Sequence, residues 1–309
     1  RDKSDPEVIA HLEAENSHVE AQTAFQEPLR QMIFEEIKAR TKETDLSVPV
    51  RRGAWWYYGR SFAGKQYGVH CRCPVAGPDD WKPPVFDEHT EIVGEEVLLD
   101  ENAEADGHDF FALGASSVSP DGTLLAFSVD IIGDERYTLQ FKDLQTGVLY
   151  PDRIPGIGLG VTWAADNACV YYTTVDESWR PDTVWRHRLG ASGPDEQVFC
   201  EPDERFWVAV GRTRSNAYIL IAAGSSITSE VRYADAMDPE AEFTTVLPRR
   251  DGVEYSVEHA VMEGRDRFLI LHNDGAANFT LVEAPVEDPR QQTTLIAARD
   301  DVRLEGVDA

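Results

Sequence analysis

The sequence predicts a mainly β protein, a partial β-propeller of four-stranded antiparallel blades preceded by a helical arm. The first observation is a unit of turn, strand, turn and strand between Gly107 and Gly147, which contains the turn Ser119-Pro-Asp-Gly122. The second is that similar units recur, with turns beginning near positions 120, 165, 214 and 264. A spacing of roughly 45 to 50 residues is typical of propeller blades. A β-sandwich with regular turns is the alternative fold.

Each repeat contains two segments with the composition and alternation of β-strands. The predicted strand pairs are 124–129 with 137–144, 169–174 with 182–189, 218–222 with 230–236, and 268–272 with 278–284. Further predictions are a hairpin of 55–58 with 67–72, a strand at 91–99, an acidic loop at 100–109 and a new blade beginning at 293–306. The regular succession of short strands is what favours a propeller.

Residues 4–41 are predicted to be helical. Ser4-Asp-Pro-Glu7 fits a capping box, and Pro28 marks either a kink or the start of a second helix. Apolar residues recur at helical spacing: Val8, Ile9, Leu12, Phe25, Leu29, Met32, Ile33 and Ile37. This stripe needs a surface to pack against, either the propeller or a domain absent from this chain. The predicted domains are a helical arm at 1–48 and an incomplete propeller at 49–309.

The charge of the chain restricts its partners. Lys and Arg number 29 and Asp and Glu number 56, so the formal net charge is −27. Such a surface repels phosphate backbones and anionic lipid and attracts cationic ligands, so neither nucleic-acid nor membrane binding is expected. Acidity that serves only solubility is the alternative. A start without an apolar signal region, and only four cysteines, favour a cytoplasmic location.

No Gly-x-Ser-x-Gly nucleophile elbow occurs in the sequence. The nearest segment, Gly59-Arg-Ser61-Phe-Ala63, lies in a predicted hairpin, so Ser61 is not expected to be catalytic. In His70-Cys71-Arg-Cys73 the alternation of a strand places the two thiols on one face and His70 on the other. Without a second pair of ligands, structural zinc is not expected there.

Other polar segments have simpler explanations than chemistry. The loop 100–107 resembles a calcium loop, but when the count starts at Asn102, Leu113 stands where the bidentate glutamate belongs. His11 and His18 are predicted to lie on a helix surface. Asp134-Glu-Arg136 and Asp203-Glu-Arg205 are predicted to be local ion pairs or bridges to another domain. No catalytic, cofactor-binding or metal-binding residue is therefore assigned, and no cofactor is expected.

Many short segments, in order and at matching spacing, resemble the N-terminal part of the oligopeptidase B (protease II) branch of the prolyl oligopeptidase family of serine peptidases. The segments are Asp5-Pro-Glu-Val8, Leu12-Glu-Ala-Glu-Asn16, Ser47-Val-Pro-Val-Arg51, Tyr57-Tyr58, Gly64-Lys-Gln-Tyr67, Leu98-Leu-Asp-Glu-Asn102, Gly107-His-Asp109, Val118-Ser-Pro-Asp-Gly122, Phe127-Ser-Val-Asp130, Glu135-Arg-Tyr137, Trp179-Arg-Pro-Asp182, Val184-Trp-Arg-His187, Thr228-Ser-Glu230 and Leu271-His-Asn-Asp274. The resemblance covers essentially the whole chain.

The resemblance implies a two-domain enzyme in which a seven-bladed propeller caps an α/β-hydrolase domain carrying a Ser, Asp and His triad. It implies cleavage of short peptides after Lys or Arg, with the propeller restricting access to small substrates, and N-terminal helices packed on the hydrolase domain. In this family the triad and the residues that select the basic side chain lie in the C-terminal domain. That domain is not in this chain, so the chain alone is expected to be inactive and to be a piece of a larger protein.

Two other functions stay open from the sequence. One is a non-catalytic propeller that serves as a protein-interaction scaffold. The other is an independent hydrolase site in a propeller channel, which needs carboxylates converging from several blades. Asp130, Asp176 and Asp274 follow runs that resemble innermost strands of separate blades, so they are the candidates for such a site.

Overall fold

The structure is a computed structural model that describes residues 4–85 and 91–308. Two compact units divide the chain, one ending at Asn102 and the other beginning at Ala103. The first unit contains the helical arm and one sheet. The second contains three antiparallel sheets, which confirms the mainly β class.

The helical arm consists of α1 (Pro6–Thr23), a 3₁₀ turn (Ala24–Gln26) and α2 (Glu27–Arg40). The N-cap of α1 is Asp5 and not Ser4, since the Asp5 carboxylate accepts a hydrogen bond from the Glu7 amide at 2.9 Å. Pro28 lies in the first turn of α2, where its missing N–H breaks no helical hydrogen bond, so it marks a second helix start. Neither helix buries any of its residues, and Phe25 of the apolar stripe is 78% exposed.

The sheet of the first unit has the strand order β1-β3-β4-β5, with β2 also paired to β3. Its strands are β1 (Asp45–Leu46), β2 (Val50–Arg52), β3 (Trp55–Ser61), β4 (Val69–Pro74) and β5 (Glu96–Asp100). The predicted hairpin is confirmed as β3 and β4. The strand predicted to begin at residue 91 begins only at Glu96, after a turn closed by the Glu95 amide on the Ile92 carbonyl. A short helix, α3 (Glu101–Glu104), occupies much of the predicted acidic loop.

A seven-stranded sheet opens the second unit and joins two blades through one strand. Its strands are β6 (Ala112–Val118), β7 (Leu124–Asp130), β8 (Tyr137–Asp143), β9 (Leu149–Trp163), β10 (Cys169–Val175), β11 (Pro181–Arg188) and β12 (Glu196–Cys200). The first part of β9 is the outer strand beside β8, and the last part is the inner strand beside β10. Gly156, at φ +75°, stands where β9 passes from one blade to the next.

Two four-stranded sheets complete the second unit. They are β13 (Trp207–Arg212), β14 (Tyr218–Gly224), β15 (Ser229–Asp235) and β16 (Thr244–Thr245), and then β17 (Tyr255–Met262), β18 (Arg265–His272), β19 (Thr280–Pro285) and β20 (Thr293–Ile296). Each of the four predicted turns lies between the first and second strands of a blade, which confirms the repeat. The prediction that a new blade begins at residue 293 is wrong, because β20 pairs with β19 as the fourth strand of the same sheet.

Apolar side chains fill the space between consecutive blades of the second unit. Trp163, Tyr171 and Phe268 are each no more than 1% exposed and lie in three separate clusters. The Trp163 indole N–H donates to the Ser117 carbonyl at 2.9 Å and so connects the inner strands of two blades. The blades of this unit are therefore held by face-to-face packing as well as by the strand β9.

Candidate functional site

The loops with most of the candidate residues lie at one end of the blades in the second unit. In the last blade the start of β17 pairs with the end of β18, since Tyr255 lies opposite His272. The same register places Trp207 at the start of β13 opposite Gly224 at the end of β14. The connections between second and third strands and the connections between blades therefore share one end, named here the loop end.

Asp130, the last residue of β7, anchors the first loop at this end. Its side chain is buried, with the residue 2% exposed, and its carboxylate accepts amide hydrogen bonds from Ile132, Gly133 and Glu135 at 2.8 to 2.9 Å. Burial raises the pKa of Asp130, but the backbone hydrogen bonds outweigh it and hold the pKa below its ordinary value. A carboxylate held in this way orders the loop and is a poor general acid.

Asp176 anchors the next loop through Arg180. The Asp176 carboxylate accepts from the Ser178 amide at 2.7 Å and from Arg180 Nε at 2.9 Å. Burial raises the pKa of Asp176, yet backbone hydrogen bonds and the Arg180 charge together lower it below its ordinary value. The guanidinium of Arg180 also donates to the Phe206 carbonyl at 2.9 Å, so one side chain joins this loop to the connection that leads to the next blade.

A second charged group at the loop end surrounds Glu201, which is 4% exposed. Glu201 pairs with Arg249, whose guanidinium lies 3.8 Å from the centre of the Phe206 ring. The backbone amide of Arg249 donates to Glu230 at 3.3 Å. Sequence reasoning missed these residues, because no local motif marks a glutamate and an arginine that meet only after two blades have packed.

The hypothesis of a channel active site required three carboxylates that follow innermost strands. The three candidate carboxylates follow other strands. Asp130 and Asp176 come at the ends of β7 and β10, and Asp274 follows β18, all second strands of their blades. Asp274 pairs with Arg250, while loop amides and Arg180 engage the other two. Their hydrogen bonds favour a structural role for each.

The other sequence candidates have structural partners. The Ser61 hydroxyl donates to the Glu43 carbonyl at 2.9 Å, and His70 lies 2.9 Å from Glu101. Cys71 and Cys73 are buried on one face of β4, as predicted, and burial raises the pKa of the Cys71 thiol to about 12. Within residues 4–85 and 91–308, no cluster of three or more His, Cys, Asp or Glu side chains is arranged to hold a metal ion.

The two histidines of the arm and one of the two acidic triplets agree with their predictions. His11 and His18 are exposed on α1. Asp203 and Arg205 form the expected local ion pair at 2.7 Å, and the hydrogen bond from Arg205 lowers the pKa of Asp203 to about 2. In the other triplet the Asp134 carbonyl accepts from the Trp179 indole at 2.8 Å, so this segment contacts the loop of the next blade.

Comparison with known proteins decides the family. A family model described as prolyl oligopeptidase, N-terminal beta-propeller domain, matches residues 1–309. The chain belongs to this family. The chain is 36% identical to dipeptidyl aminopeptidase BI of Pseudoxanthomonas mexicana over 98% of its own length and 42% of that relative. It is 33% identical to Protease 2 of Moraxella lacunata over 99% of the chain and 43% of that protein.

Solved structures agree with this assignment. Oligopeptidase B from Leishmania major superposes with a TM-score of 0.87 at 31% identity, and that from Trypanosoma brucei, in a closed form with covalently bound antipain, with 0.85 at 33%. Each comparison covers 99% of this chain and 42% of the longer oligopeptidase B chain. The chain thus spans less than half the length of these relatives. Among the described residues of the propeller chain, no helix has the length and apolarity needed to span a membrane.

The anchoring role of Asp130 in this propeller predicts a specific pH dependence. Because its folded pKa lies below the ordinary 3.8, its contribution to stability is present above that value and is lost as the pH falls below it. Asp130→Asn is expected to lower the free energy of unfolding by about 2 kcal/mol at neutral pH, as expected for hydrogen bonds to a charged group. Urea unfolding of both proteins at several pH values measures the difference.

The difference between the two proteins should shrink on acidification, while Asp109→Asn, an exposed control with no comparable loop contacts in the described chain, should leave the unfolding midpoint unchanged. A difference for Asp130→Asn that stays constant down to acid pH would show that its charge is not what holds the loop.

Proposed function

We propose that this chain is the N-terminal portion of a cytoplasmic serine oligopeptidase that cleaves short peptides after Lys or Arg. The observation that carries the proposal is the similarity to Protease 2 and to the oligopeptidase B structures over 99% of the chain. The proposed domains are a helical arm at 1–48, which also contains the short edge strand β1, and part of the propeller at 49–309. The α/β-hydrolase domain, outside this chain, performs acyl transfer through a serine hydroxyl activated by histidine, with an oxyanion hole.

In this proposal the helical arm packs on the hydrolase domain. Support comes from the exposure of its apolar side chains, among which Phe25, Met32 and Ile37 are 61–78% exposed. A stripe of this kind on two exposed helices is unfavourable in water and is typical of a surface that another domain covers.

The propeller is proposed to limit access by size and to favour cationic peptides by charge. The net charge of −27 supports the second part, because a strongly acidic surface raises the local concentration of basic ligands. For the full-length protein, kcat/KM of a dibasic peptide is expected to fall by on the order of tenfold from low to high ionic strength. Steady-state kinetics in a NaCl series measures this.

A peptide with the same arginine at the cleavage site and a glutamate in place of the second basic residue is the control for general salt effects. If its kcat/KM changed with salt in the same direction and to the same extent, the protein would not be selecting substrates by charge.

The cleavage reaction itself is tested with two reporters. The full-length protein should hydrolyse a reporter with a blocked amino terminus and arginine at the cleavage site. A serine-reactive inhibitor should abolish this hydrolysis. The second candidate is dipeptidyl aminopeptidase activity, favoured by 36% identity to a relative of that name. An enzyme of that kind would prefer a dipeptide reporter with a free amino terminus and leave the blocked one intact.

The alternative function needs no catalysis: a non-catalytic propeller that serves as a protein-interaction scaffold. It would be supported if the full-length protein hydrolysed neither reporter and did not react with a fluorophosphonate probe.

A further inference from the structure

A cavity of about 220 Å³ lies between the connection 246–254 and the last blade of the second unit. Leu247, Pro248, Val253 and Tyr255 form its apolar part. The Tyr255 hydroxyl donates to the Leu247 carbonyl at 2.7 Å and accepts from the Val231 amide at 2.8 Å. Because this hydroxyl is already engaged, Tyr255 offers a ligand mainly the face of its ring.

Two ion-paired arginines line the edge of the same cavity. Arg250 and Arg290 line it, and their side chains are 56% and 79% exposed. Arg250 pairs with Asp274, and Arg290 Nε donates to Asp288 at 2.8 Å. Since a guanidinium has five N–H donors, each can hold a second anion beside its aspartate. The charges of the two pairs balance, so what the cavity edge offers an anion is the set of guanidinium donors that the aspartates do not use.

His272 lines the cavity without adding charge near neutral pH. Its Nδ1 accepts from the Asp274 amide at 3.2 Å, which places the ring proton on Nε2. Burial is the main reason that the pKa of His272 is lowered, so the ring is neutral. The preference for an anion therefore depends on the arginines and does not require protonation of this histidine.

We propose that this cavity binds a small amphipathic carboxylate, with its apolar body against Leu247, Pro248 and Val253 and its charge on Arg250 and Arg290. The cavity volume is smaller than the roughly 300 Å³ of the smallest pockets for drug-sized ligands. It is well above the ~30 Å³ that one water molecule occupies in the liquid. A body of about the size of a leucine side chain fits this range.

Two sources offer this chemistry, the carboxyl-terminal residue of a peptide and a free short-chain fatty acid. Calorimetric titration of the full-length protein with N-acetyl-leucine, N-acetyl-leucinamide and hexanoate separates them. Saturable binding of the acids is expected, with the uncharged amide at least about tenfold weaker because it lacks the charge-assisted hydrogen bonds. Tighter binding of N-acetyl-leucine than of hexanoate identifies a peptide terminus, and the reverse a fatty acid. No saturable binding of either acid, or equal binding of the amide, overturns the proposal.

Variants locate the site. The double substitution Arg250→Gln and Arg290→Gln should weaken binding of the acid by about tenfold or more. Val253→Phe, which fills the cavity and keeps both charges, should also weaken it. Arg299→Gln is the matched control, because Arg299 is an exposed arginine paired with an aspartate two residues away, as Arg290 is. With circular dichroism confirming that each variant is folded, unchanged binding in either cavity variant overturns the proposal.

Discussion

Replacing Trp163 by alanine is expected to lower the free energy of unfolding by about 3–5 kcal/mol, the range for removing a large aromatic side chain from a core. Trp163 is fully buried on the shared strand β9, and its ring lies edge-on to Phe141 at a centroid distance of 5.9 Å. The substitution leaves a cavity between two blades and also removes the hydrogen-bond donor to the Ser117 carbonyl. Urea denaturation followed by circular dichroism measures the loss.

Trp207→Ala is the matched control. Trp207 also lies on an inner strand, β13, but is 57% exposed, so its removal creates no closed cavity. Its unfolding midpoint should move far less than that of Trp163→Ala. Equal effects of the two substitutions would mean that contact between the blades is not what Trp163 contributes.

Replacing Arg180 by alanine is expected to cost about 3 kcal/mol, because the buried guanidinium serves a half-buried carboxylate and two backbone carbonyls. Arg180 is 8% exposed, and its loss leaves Asp176 without its cation and the carbonyls of Glu201 and Phe206 without a donor. The loop at 176–180 and the connection to the next blade lose their common contact. Urea denaturation and limited proteolysis of the loop end should both detect the change.

Arg205→Ala serves as the control for Arg180→Ala. Arg205 pairs with Asp203 in the same part of the fold, but its side chain is 75% exposed, so water replaces the lost contact. The unfolding midpoint of Arg205→Ala should match that of the unmodified chain. If Arg180→Ala were equally mild, the hydrogen bonds to the carbonyls would not be contributing to stability.

Local turn chemistry explains why the repeat could be predicted. Ser119-Pro-Asp-Gly122 and the turn at Asn167 contain residues that favour turns, and Asn167 adopts φ +58°. The hairpins that follow depend only on neighbouring residues. The same locality explains the error at residue 293, because the alternation of a strand does not reveal whether it closes one blade or opens the next.

Contacts between distant residues explain what the sequence did not predict. The double use of β9 depends on partners on both sides, and Gly156 alone does not signal it. Asp130 and Asp176 were recognised as candidates from their positions, but their amide and arginine partners, which argue against catalysis, appear only in the folded loops. Arg180 lies more than 20 residues from the carbonyls of Glu201 and Phe206 that it binds, so no short motif could reveal its role.

The most direct test of the central claim compares substrate sizes. The full-length protein is incubated with a short peptide containing one arginine and with the same segment inside a long unfolded polypeptide, and cleavage at that arginine is followed by mass spectrometry. A propeller that controls access to a peptidase predicts rapid cleavage of the short peptide and little cleavage of the long chain. Equal rates for the two substrates would contradict the proposed role of the propeller.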